Sequence, residues 1–377
     1  MKLPNRLSAL AIALPLFAGC ASGDSGPTGP GGDEVVVVWA LNSIGQTIRT
    51  FEIGEGISPL GLGVVLEGLF DGVAMDVAFP LAVTSESSFG GDRAIVADLE
   101  SGGTTAVPFL EPSGDLVNPS KPFVLQGTSE AIVGGRGTNS IYRFSIDPPG
   151  TPATVLARDA GEFVEKVVVT NGRVFAIDSN IDDAGGTFEP LGNSRVAVFD
   201  LEGVPVADFP LPGFQATDAV LSGGKLVVLN AGTLTPTFEP EGDGTLAVVD
   251  VVPPFQVSGP FPLGGNGVSL EDGADGRVYV TVTNDFAGPI RTLSFNVGTN
   301  GFVRGPDDPI RTRDDAGADI SCWVATSLAD GRLLCATFRT DQAGTLYVLN
   351  ADGSFVSSTP GGFGTSDLEI AVAAGTP

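Results

Sequence analysis

Histidine is absent from all 377 residues of this chain. Its absence excludes Ser-His-Asp and Cys-His catalysis, imidazole metal sites and a histidine general base. A hydrolytic reaction would have to use carboxylates, tyrosine, lysine or a metal ion held by oxygen ligands. The sequence therefore favours a non-enzymatic role over an enzymatic one.

Positive charge and long apolar runs are also scarce. After residue 20 no uninterrupted apolar stretch reaches the roughly eighteen residues that a membrane-spanning helix needs. The chain has 19 Lys and Arg against 45 Asp and Glu, and removal of an N-terminal segment containing Lys2 and Arg6 leaves 17 against 45. A net charge near −28 excludes nucleic acid and anionic lipid headgroups as partners. It suits cations, cationic partners or simply solubility.

The first twenty residues read as a targeting segment. Lys2 and Arg6 precede an apolar stretch over residues 7–17, which ends at Phe17-Ala18-Gly19-Cys20. This pattern resembles a bacterial lipoprotein signal peptide, with Phe17 in place of the usual leucine. The resemblance implies cleavage before Cys20 and attachment of diacylglycerol and a palmitate-type acyl chain to that cysteine. The alternative is an ordinary secretory signal followed by a chance cysteine.

The segment after Cys20 contains no large apolar side chain and reads as a flexible tether. We therefore divide the chain into a signal peptide (residues 1–19), a lipidated cysteine with its tether (20–33) and a folded domain (34–377). Ala21 stands where an aspartate would favour retention in the inner membrane. We expect a lipid anchor in the outer membrane, and whether the domain faces the periplasm or the cell surface stays open.

The folded domain is predicted to be all-β, because 53 Gly and 28 Pro accompany apolar positions rich in Val, Ile, Leu and Phe. One strand type, alternating in apolar residues and ending on Asp or Asn, recurs seven times at intervals of 46 to 56 residues. The copies end at Asn42, Asp98, Asp147, Asp200, Asp250, Asn296 and Asn350.

Apolar hairpins lie between these strands. Asn171-Gly172, Gly223-Gly224 and the Ala-Asp-Gly-Arg segments at 274–277 and 329–332 supply the positive φ of two-residue hairpin turns. A period near fifty with four strands per unit predicts a β-propeller, with seven blades or alternatively six. We assign the first strand, residues 35–41, to the third position of a blade and the last, residues 368–372, to the first position. Pairing of strands from the two termini would then close the ring.

The hairpin Arg277-Val278-Tyr279-Val280-Thr281-Val282-Thr283-Asn284 resembles the Tyr-Val-Thr-Asn repeat of the YVTN class of β-propellers. Other blades carry degenerate copies, and the likeness covers most of residues 34–377. WD-type repeats are excluded as a close match, since there is no histidine and no Trp-Asp pair. Propellers include binding modules, lactonases, lyases and quinoproteins, so the resemblance does not select a function.

One loop has the spacing of a calcium site. Asp178, Asn180, Asp182 and Glu189 occupy positions one, three, five and twelve of a calcium-binding loop. Asp183 stands at the sixth position, where glycine is usual. The alternative is that the loop has a structural role. A Thr-Phe-Glu-Pro segment occurs at 187–190 and again at 237–240, but no Asp-rich segment precedes the second copy.

A second candidate site is a set of acidic residues near the predicted starts of the innermost strands. These residues are Asp76, Glu165, Asp218, Asp319 and Asp367. We expect them to crowd one mouth of the central channel and to hold a metal or a cationic ligand. The alternative is that each one caps a strand end by accepting backbone hydrogen bonds.

Cys322 and Cys335 remain once Cys20 is lipidated, and an oxidising compartment favours a disulfide between them. A two-residue turn would pair Cys335 with Thr326 and leave Cys322 about 13 Å away along the strand. That distance exceeds the reach of a disulfide unless a bulge shortens it. Both the bonded and the free states stay open.

These observations lead to two functional hypotheses. The first is a monomeric envelope lipoprotein whose propeller binds a partner protein, a glycan or a small cationic ligand. The second is a calcium-dependent hydrolase or lyase that acts at the channel mouth without histidine. The missing histidine favours the first hypothesis.

Overall fold

The computed structural model describes residues 35–66, 72–86, 91–182, 189–235 and 239–373, and all regular structure in these ranges is β. Seven antiparallel sheets have four strands each, and one small sheet has two. This confirms a propeller of seven blades rather than six. We letter the strands of each blade A to D from the centre outwards, because the A strands of neighbouring blades contact one another. No helix in the described ranges could cross a membrane.

The strands are given in the order A, B, C, D for each blade. Blade 1 contains β30 (Thr365–Ala373), β1 (Val35–Asn42), β2 (Thr47–Ile53) and β3 (Ile57–Val65). Blade 2 contains β4 (Gly72–Ala78), β5 (Leu81–Glu86), β6 (Arg93–Asp98) and β7 (Thr104–Pro108). Blade 3 contains β8 (Phe123–Val124), β9 (Glu130–Gly135), β10 (Ser140–Ser145) and β11 (Thr154–Ala157). Blade 4 contains β12 (Val164–Thr170), β13 (Arg173–Asp178), β16 (Arg195–Asp200) and β17 (Pro205–Pro210), and the short hairpin of β14 (Ile181–Asp182) and β15 (Glu189–Pro190) joins its B and C strands.

The remaining three blades follow in chain order. Blade 5 contains β18 (Ala216–Ser222), β19 (Lys225–Asn230), β20 (Thr245–Asp250) and β21 (Val257–Pro262). Blade 6 contains β22 (Asn266–Asp272), β23 (Arg277–Thr283), β24 (Ile290–Asn296) and β25 (Gly301–Arg304). Blade 7 contains β26 (Val324–Ser327), β27 (Leu333–Ala336), β28 (Thr345–Leu349) and β29 (Phe355–Pro360).

The hydrophobic core lies between blades. The described residues form seven apolar clusters, and each cluster fills the space between one pair of neighbouring blades. Strand β13 shows how the sequence achieves this. Val174 and Ala176 pack toward blade 3, whereas Phe175 and Ile177 pack toward blade 5. Successive strand residues point to opposite faces, so an almost continuously apolar strand is buried on both sides.

The two termini close the ring as predicted, but the position of the first strand was wrong. Strand β1 pairs directly with the innermost strand β30, with Val38 opposite Ile370, so β1 is a B strand. The third position of blade 1 belongs to β2, which the repeat search missed. The physical reason is that B and C strands are both buried on two faces, so their apolar patterns are alike. The blade count is unaffected, because each blade still contributes one C strand.

Hairpin turns agree with the sequence in two of the four cases. Thr170 pairs with Arg173 and Ser222 with Lys225, which leaves two-residue turns whose residues all have positive φ, from +51° at Asn171 to +73° at Gly224. The two Ala-Asp-Gly-Arg segments form longer connections. Asp272 pairs with Val278 and Ser327 with Leu333, so five residues lie in each turn.

This longer turn changes the register around the two cysteines. Cys335 pairs with Ala325 rather than with Thr326. The chain bends at Trp323, and the structure contains a disulfide between Cys322 and Cys335 with a Cα–Cα distance of 5.3 Å. Both cysteines are fully buried in the cluster between blades 6 and 7.

Candidate functional site

Seven charged side chains meet around the central channel, and we call them the charged ring. They come from the A strands of five blades and from the segment just before β8, so six of the seven blades contribute. Their mutual Coulombic interactions place them in one electrostatic group. The members are Asp76, Lys121, Lys166, Asp218, Glu271, Asp367 and Glu369.

Both lysines of the ring bind one carboxylate. Lys121 donates through Nζ to Oδ2 of Asp218, and Lys166 Nζ lies 3.0 Å from Oδ1 of the same residue. Asp218 is only 4% exposed. Burial acts to raise its pKa, but the two lysines hold the pKa below its usual value. Burial would lower the pKa of Lys166, yet attraction to Asp218, Asp367 and Glu271 raises it. Asp218 is therefore ionised and Lys166 protonated at neutral pH.

Asp76 and Asp367 tie neighbouring blades together. Asp367 Oδ2 accepts the backbone N–H of Met75 at 2.7 Å, and Asp76 Oδ2 accepts that of Val124 at 2.6 Å. In each case the other oxygen accepts the N–H of the following residue, Leu368 or Val77. Burial raises the pKa of Asp367 to about 6 and also raises that of Asp76. Both carboxyl groups have a structural role because all four oxygens are hydrogen-bonded.

Glu271 and Glu369 differ from the other carboxylates of the ring. Neither side chain makes a hydrogen bond or ion pair with any residue in the described part of the chain. Burial raises the pKa of Glu271 well above its usual value, and repulsion from Asp367 and Asp218 adds to the effect. Burial does the same for Glu369, together with repulsion from Asp76, Asp367 and Glu271. Solvent reaches both side chains only in part.

Bulges near the starts of the A strands set the positions of ring members. The register of β12 on β13 shifts between Val164 and Lys166, and that of β18 on β19 shifts between Ala216 and Asp218. A bulge adds one unpaired residue and redirects the side chains that follow. In β12 it places Lys166 in the ring, whereas Glu165 binds Arg136, with Oε2 at 2.6 Å from Nη2.

The structure therefore brings together three of the five acidic candidates from the sequence. Asp76, Asp218 and Asp367 belong to the ring. Glu165 is paired with Arg136 instead, and Asp319 lies in the loop before β26, where its side chain is 86% exposed and 3.7 Å from Arg313.

Four ring members were not predicted. Two of them are Lys121 and Lys166, and no pattern in the sequence shows that these lysines share Asp218. Glu271 and Glu369 had an available signal, because each follows a leucine inside an apolar A strand where a charge is costly. A charged residue inside an otherwise apolar strand is the feature that could have identified them.

The calcium-like loop is described only in part, because residues 183–188 lie outside the described ranges. Asp178 is fully buried, and its Oδ1 accepts the backbone N–H groups of Phe163 at 2.9 Å and Asn180 at 2.8 Å. Its Oδ2 is buried without a hydrogen-bond partner. Asp182 and Glu189 face each other across the β14–β15 hairpin. The described residues contain no group of three or more acidic or cysteine side chains arranged to hold a metal, and calcium at this loop stays a prediction.

Cys20 and the predicted tether also lie outside the described ranges. Lipidation at that cysteine is therefore a prediction as well.

Comparison with known proteins identifies the fold but not the activity. No protein family profile and no curated protein sequence matches this chain. Among solved structures, the periplasmic gluconolactonase of Pseudomonas aeruginosa aligns over 91% of this chain and 100% of its own, with 16% identity and a TM-score of 0.57. A Bacteroides uniformis protein named as a candidate 6-phosphogluconolactonase aligns over 90% and 100%, with 12% identity and a TM-score of 0.60.

Virginiamycin B lyase of Staphylococcus aureus aligns over 77% of this chain and 84% of its own, with 12% identity and a TM-score of 0.52. Identities this low support a shared β-propeller fold and nothing finer. Hydrolases and a lyase occur among these structures, which agrees with the rule that a fold does not determine function.

Proposed function

We propose that this protein is a lipid-anchored component of the bacterial cell envelope whose propeller binds a small cationic ligand in its central channel. One observation carries the proposal. The charged ring contains five carboxylates and two lysines, and two of the carboxylates, Glu271 and Glu369, have no partner in the described part of the chain. Burial and repulsion from other carboxylates destabilise their ionised forms more than the attraction of Lys166 stabilises them, and a bound cation would offset both effects.

The same charges argue against an anionic ligand. Lys121 and Lys166 both pair with Asp218, so part of the positive charge that would attract a phosphate or carboxylate is already neutralised. A phosphorylated lactone, as implied by the name of the Bacteroides uniformis neighbour, would bring negative charge to a ring that already has an excess of it. The overall excess of acidic residues acts in the same direction.

Three features support the envelope location. The N-terminal segment resembles a lipoprotein signal peptide, the Cys322–Cys335 disulfide suits an oxidising compartment, and one structural neighbour is named as periplasmic. The outer membrane is the proposed site of anchorage, through Cys20.

Isothermal titration calorimetry on the full chain in detergent tests the ligand class. We expect saturable binding of small ammonium compounds at physiological salt and none of sulfate or gluconate. Binding should weaken as the pH falls, because burial raises the pKa of Glu271 and of Glu369 well above the usual value and protonation removes the negative charge that attracts a cation. Saturable binding of the anions with no binding of any cation would refute the proposal.

A second candidate function is acid–base hydrolysis in the channel, and one observation favours it. Burial raises the pKa of Asp367 to about 6, close to the range in which a general acid or base is effective near neutral pH. Two structural neighbours are named as gluconolactonases or candidates for that activity. A neutral lactone added to the titration series, with acid release followed in a pH-stat, distinguishes turnover from binding. Release that persists in Asp367→Asn would exclude Asp367 as the base.

A further inference from the structure

The connection between blades 2 and 3 contains a loop in which the usual distribution of polar and apolar side chains is inverted. Residues 110–116 lie between β7 and β8. Leu110 is 65% exposed, which is more than any other large apolar residue in the described part of the chain, and Leu116 is 52% exposed. The side chain of Glu111 is only 3% exposed. Globular proteins normally bury leucine and expose glutamate, so this loop is built to present its leucines to solvent.

The two ends of the loop are fastened to one residue. Asp92 accepts the backbone N–H of Phe109 through its carbonyl oxygen at 2.8 Å and that of Val117 through Oδ1 at 2.6 Å. Phe109 and Val117 are both buried in the apolar cluster between blades 2 and 3. The adjoining residues Leu110 and Leu116, which we call the leucine pair, therefore leave the core at neighbouring points. Compact surface loops with close ends are frequently functional.

Buried contacts also hold the middle of the loop. The Tyr142 hydroxyl donates to Oε1 of Glu111, and Nη2 of Arg158 lies 3.2 Å from Oε2. Tyr142 is itself only 1% exposed and is hydrogen-bonded to Thr138 at 2.8 Å. Both carboxylate oxygens are paired, so the burial of Glu111 is compensated. These contacts fix the loop before any partner arrives, which reduces the entropic cost of association.

The surroundings of the leucine pair indicate the chemistry of its occupant. Asp115 lies within the loop, Asp159 and Glu162 lie in the connection between blades 3 and 4, and all three are exposed. Arg158, the cation that links these two connections, is already paired with Glu111. Acidic residues beside exposed apolar side chains attract a positively charged partner. They repel a second copy of this acidic chain and an anionic bilayer surface.

We propose that the leucine pair docks a basic partner protein, by inserting into an apolar groove of that partner that is flanked by lysine or arginine. Leucine side chains that fill such a groove supply apolar burial, while the charges around them speed association and select the partner. The leucine pair contains no member of the charged ring, so this site is separate from that of the channel ligand and goes beyond the proposed function.

Site-specific photo-crosslinking in the native bacterium tests the site. A benzophenone amino acid replaces Leu110, Leu116 or, as the control, Val252, which is 53% exposed in the C–D connection of blade 5. We expect one protein to be joined at both leucine positions and not at Val252. That protein, identified by mass spectrometry and purified, should be basic. It should bind the full chain in detergent with an affinity that falls as sodium chloride is added.

Substitutions then connect this binding to the leucines. Leu110→Ser combined with Leu116→Ser should weaken binding of the purified partner by about tenfold or more, whereas Val252→Ser should leave it unchanged. Thermal melting checks folding, and we expect no lower melting temperature in either variant, because the replaced side chains are exposed. No crosslink at either leucine, an equal crosslink at Val252, an acidic partner or wild-type affinity in the double serine variant would each overturn the proposal. Crosslinking to lipid or glycan alone would overturn it as well.

Discussion

Asp218 is the residue on which the electrostatics of the channel depend most. It is the shared counterion of Lys121 and Lys166, and all three side chains are at least four-fifths removed from solvent. Removal of one partner from a buried ion pair leaves a charge without compensation, which is more costly than the net value of the pair. We therefore expect Asp218→Asn to lower the free energy of unfolding by about 3 kcal/mol.

Urea denaturation of the full chain measures this effect, and Asp208→Asn is the matched control. Asp208 also pairs with a cationic side chain, Arg195, but both are 40% or more exposed. Exposed pairs contribute little, so the control should change the free energy of unfolding by less than about 1 kcal/mol. Equal effects of the two substitutions would contradict the assignment of Asp218 as a buried counterion.

The sequence predicted members of the charged ring correctly where the position of a residue along its strand determines whether it reaches the channel. Asp218 and Asp367 are each the third residue of an A strand, and Asp76 is the fifth of the seven residues of β4. The sequence pattern located these strands. The prediction failed for Glu165 and Lys166. The bulge in β12 places Lys166 in the ring, whereas the adjacent Glu165 pairs with Arg136. Bulges leave no clear mark in a single sequence.

The B–C connection of blade 4 is the element that calcium would organise. Asp178 Oδ2 is buried without a hydrogen-bond partner, and a cation is one way to satisfy such an oxygen. Asp182 and Glu189 are exposed and adjacent across the hairpin. If calcium binds here, it should raise the melting temperature saturably, and Asp182→Ala should abolish that rise.

Asp182 is a better target than Asp178, because the latter also accepts two backbone N–H groups and its loss would destabilise the fold without calcium. Asp315→Ala, at an exposed position in the loop before β26, controls for the change in net charge. A calcium response that survives Asp182→Ala, or that sodium chloride of equal ionic strength reproduces, would rule out this loop as a specific site.

Element-level patterns predicted the hairpins better than their order within a blade. Asn171-Gly172 and Gly223-Gly224 gave the expected tight turns, since few residues other than glycine and asparagine accept positive φ. Strand β1 was placed one position too far out because double-sided burial gives B and C strands the same apolar alternation. Its true position depends on pairing with β30, more than 300 residues away, and local sequence cannot report such a contact.

At the scale of the whole molecule, closure of the ring determines where the predicted tether is attached. Strand β1 begins at Val35, opposite Ala373 near the end of β30. The tether therefore joins the face on which the A strands end. Lys166 and Asp218 lie near the starts of their strands, toward the opposite face. Anchorage through the N-terminus would leave that mouth of the channel directed away from the bilayer.

Lipidation at Cys20 is the prediction on which this orientation rests. Wild-type protein expressed in a bacterial host should incorporate an alkynyl palmitate label and remain with the membrane fraction, whereas Cys20→Ser should carry no label. Cys322→Ser is the control, because that cysteine is buried in the core and has no access to an acyl donor. The lipid anchor is expected to hold the domain at the membrane surface without changing the residues of the channel. Purified Cys20→Ser protein should therefore bind small ammonium compounds with wild-type affinity. Label retained in Cys20→Ser, or absent from the wild type, would show that the N-terminal segment is an ordinary secretory signal.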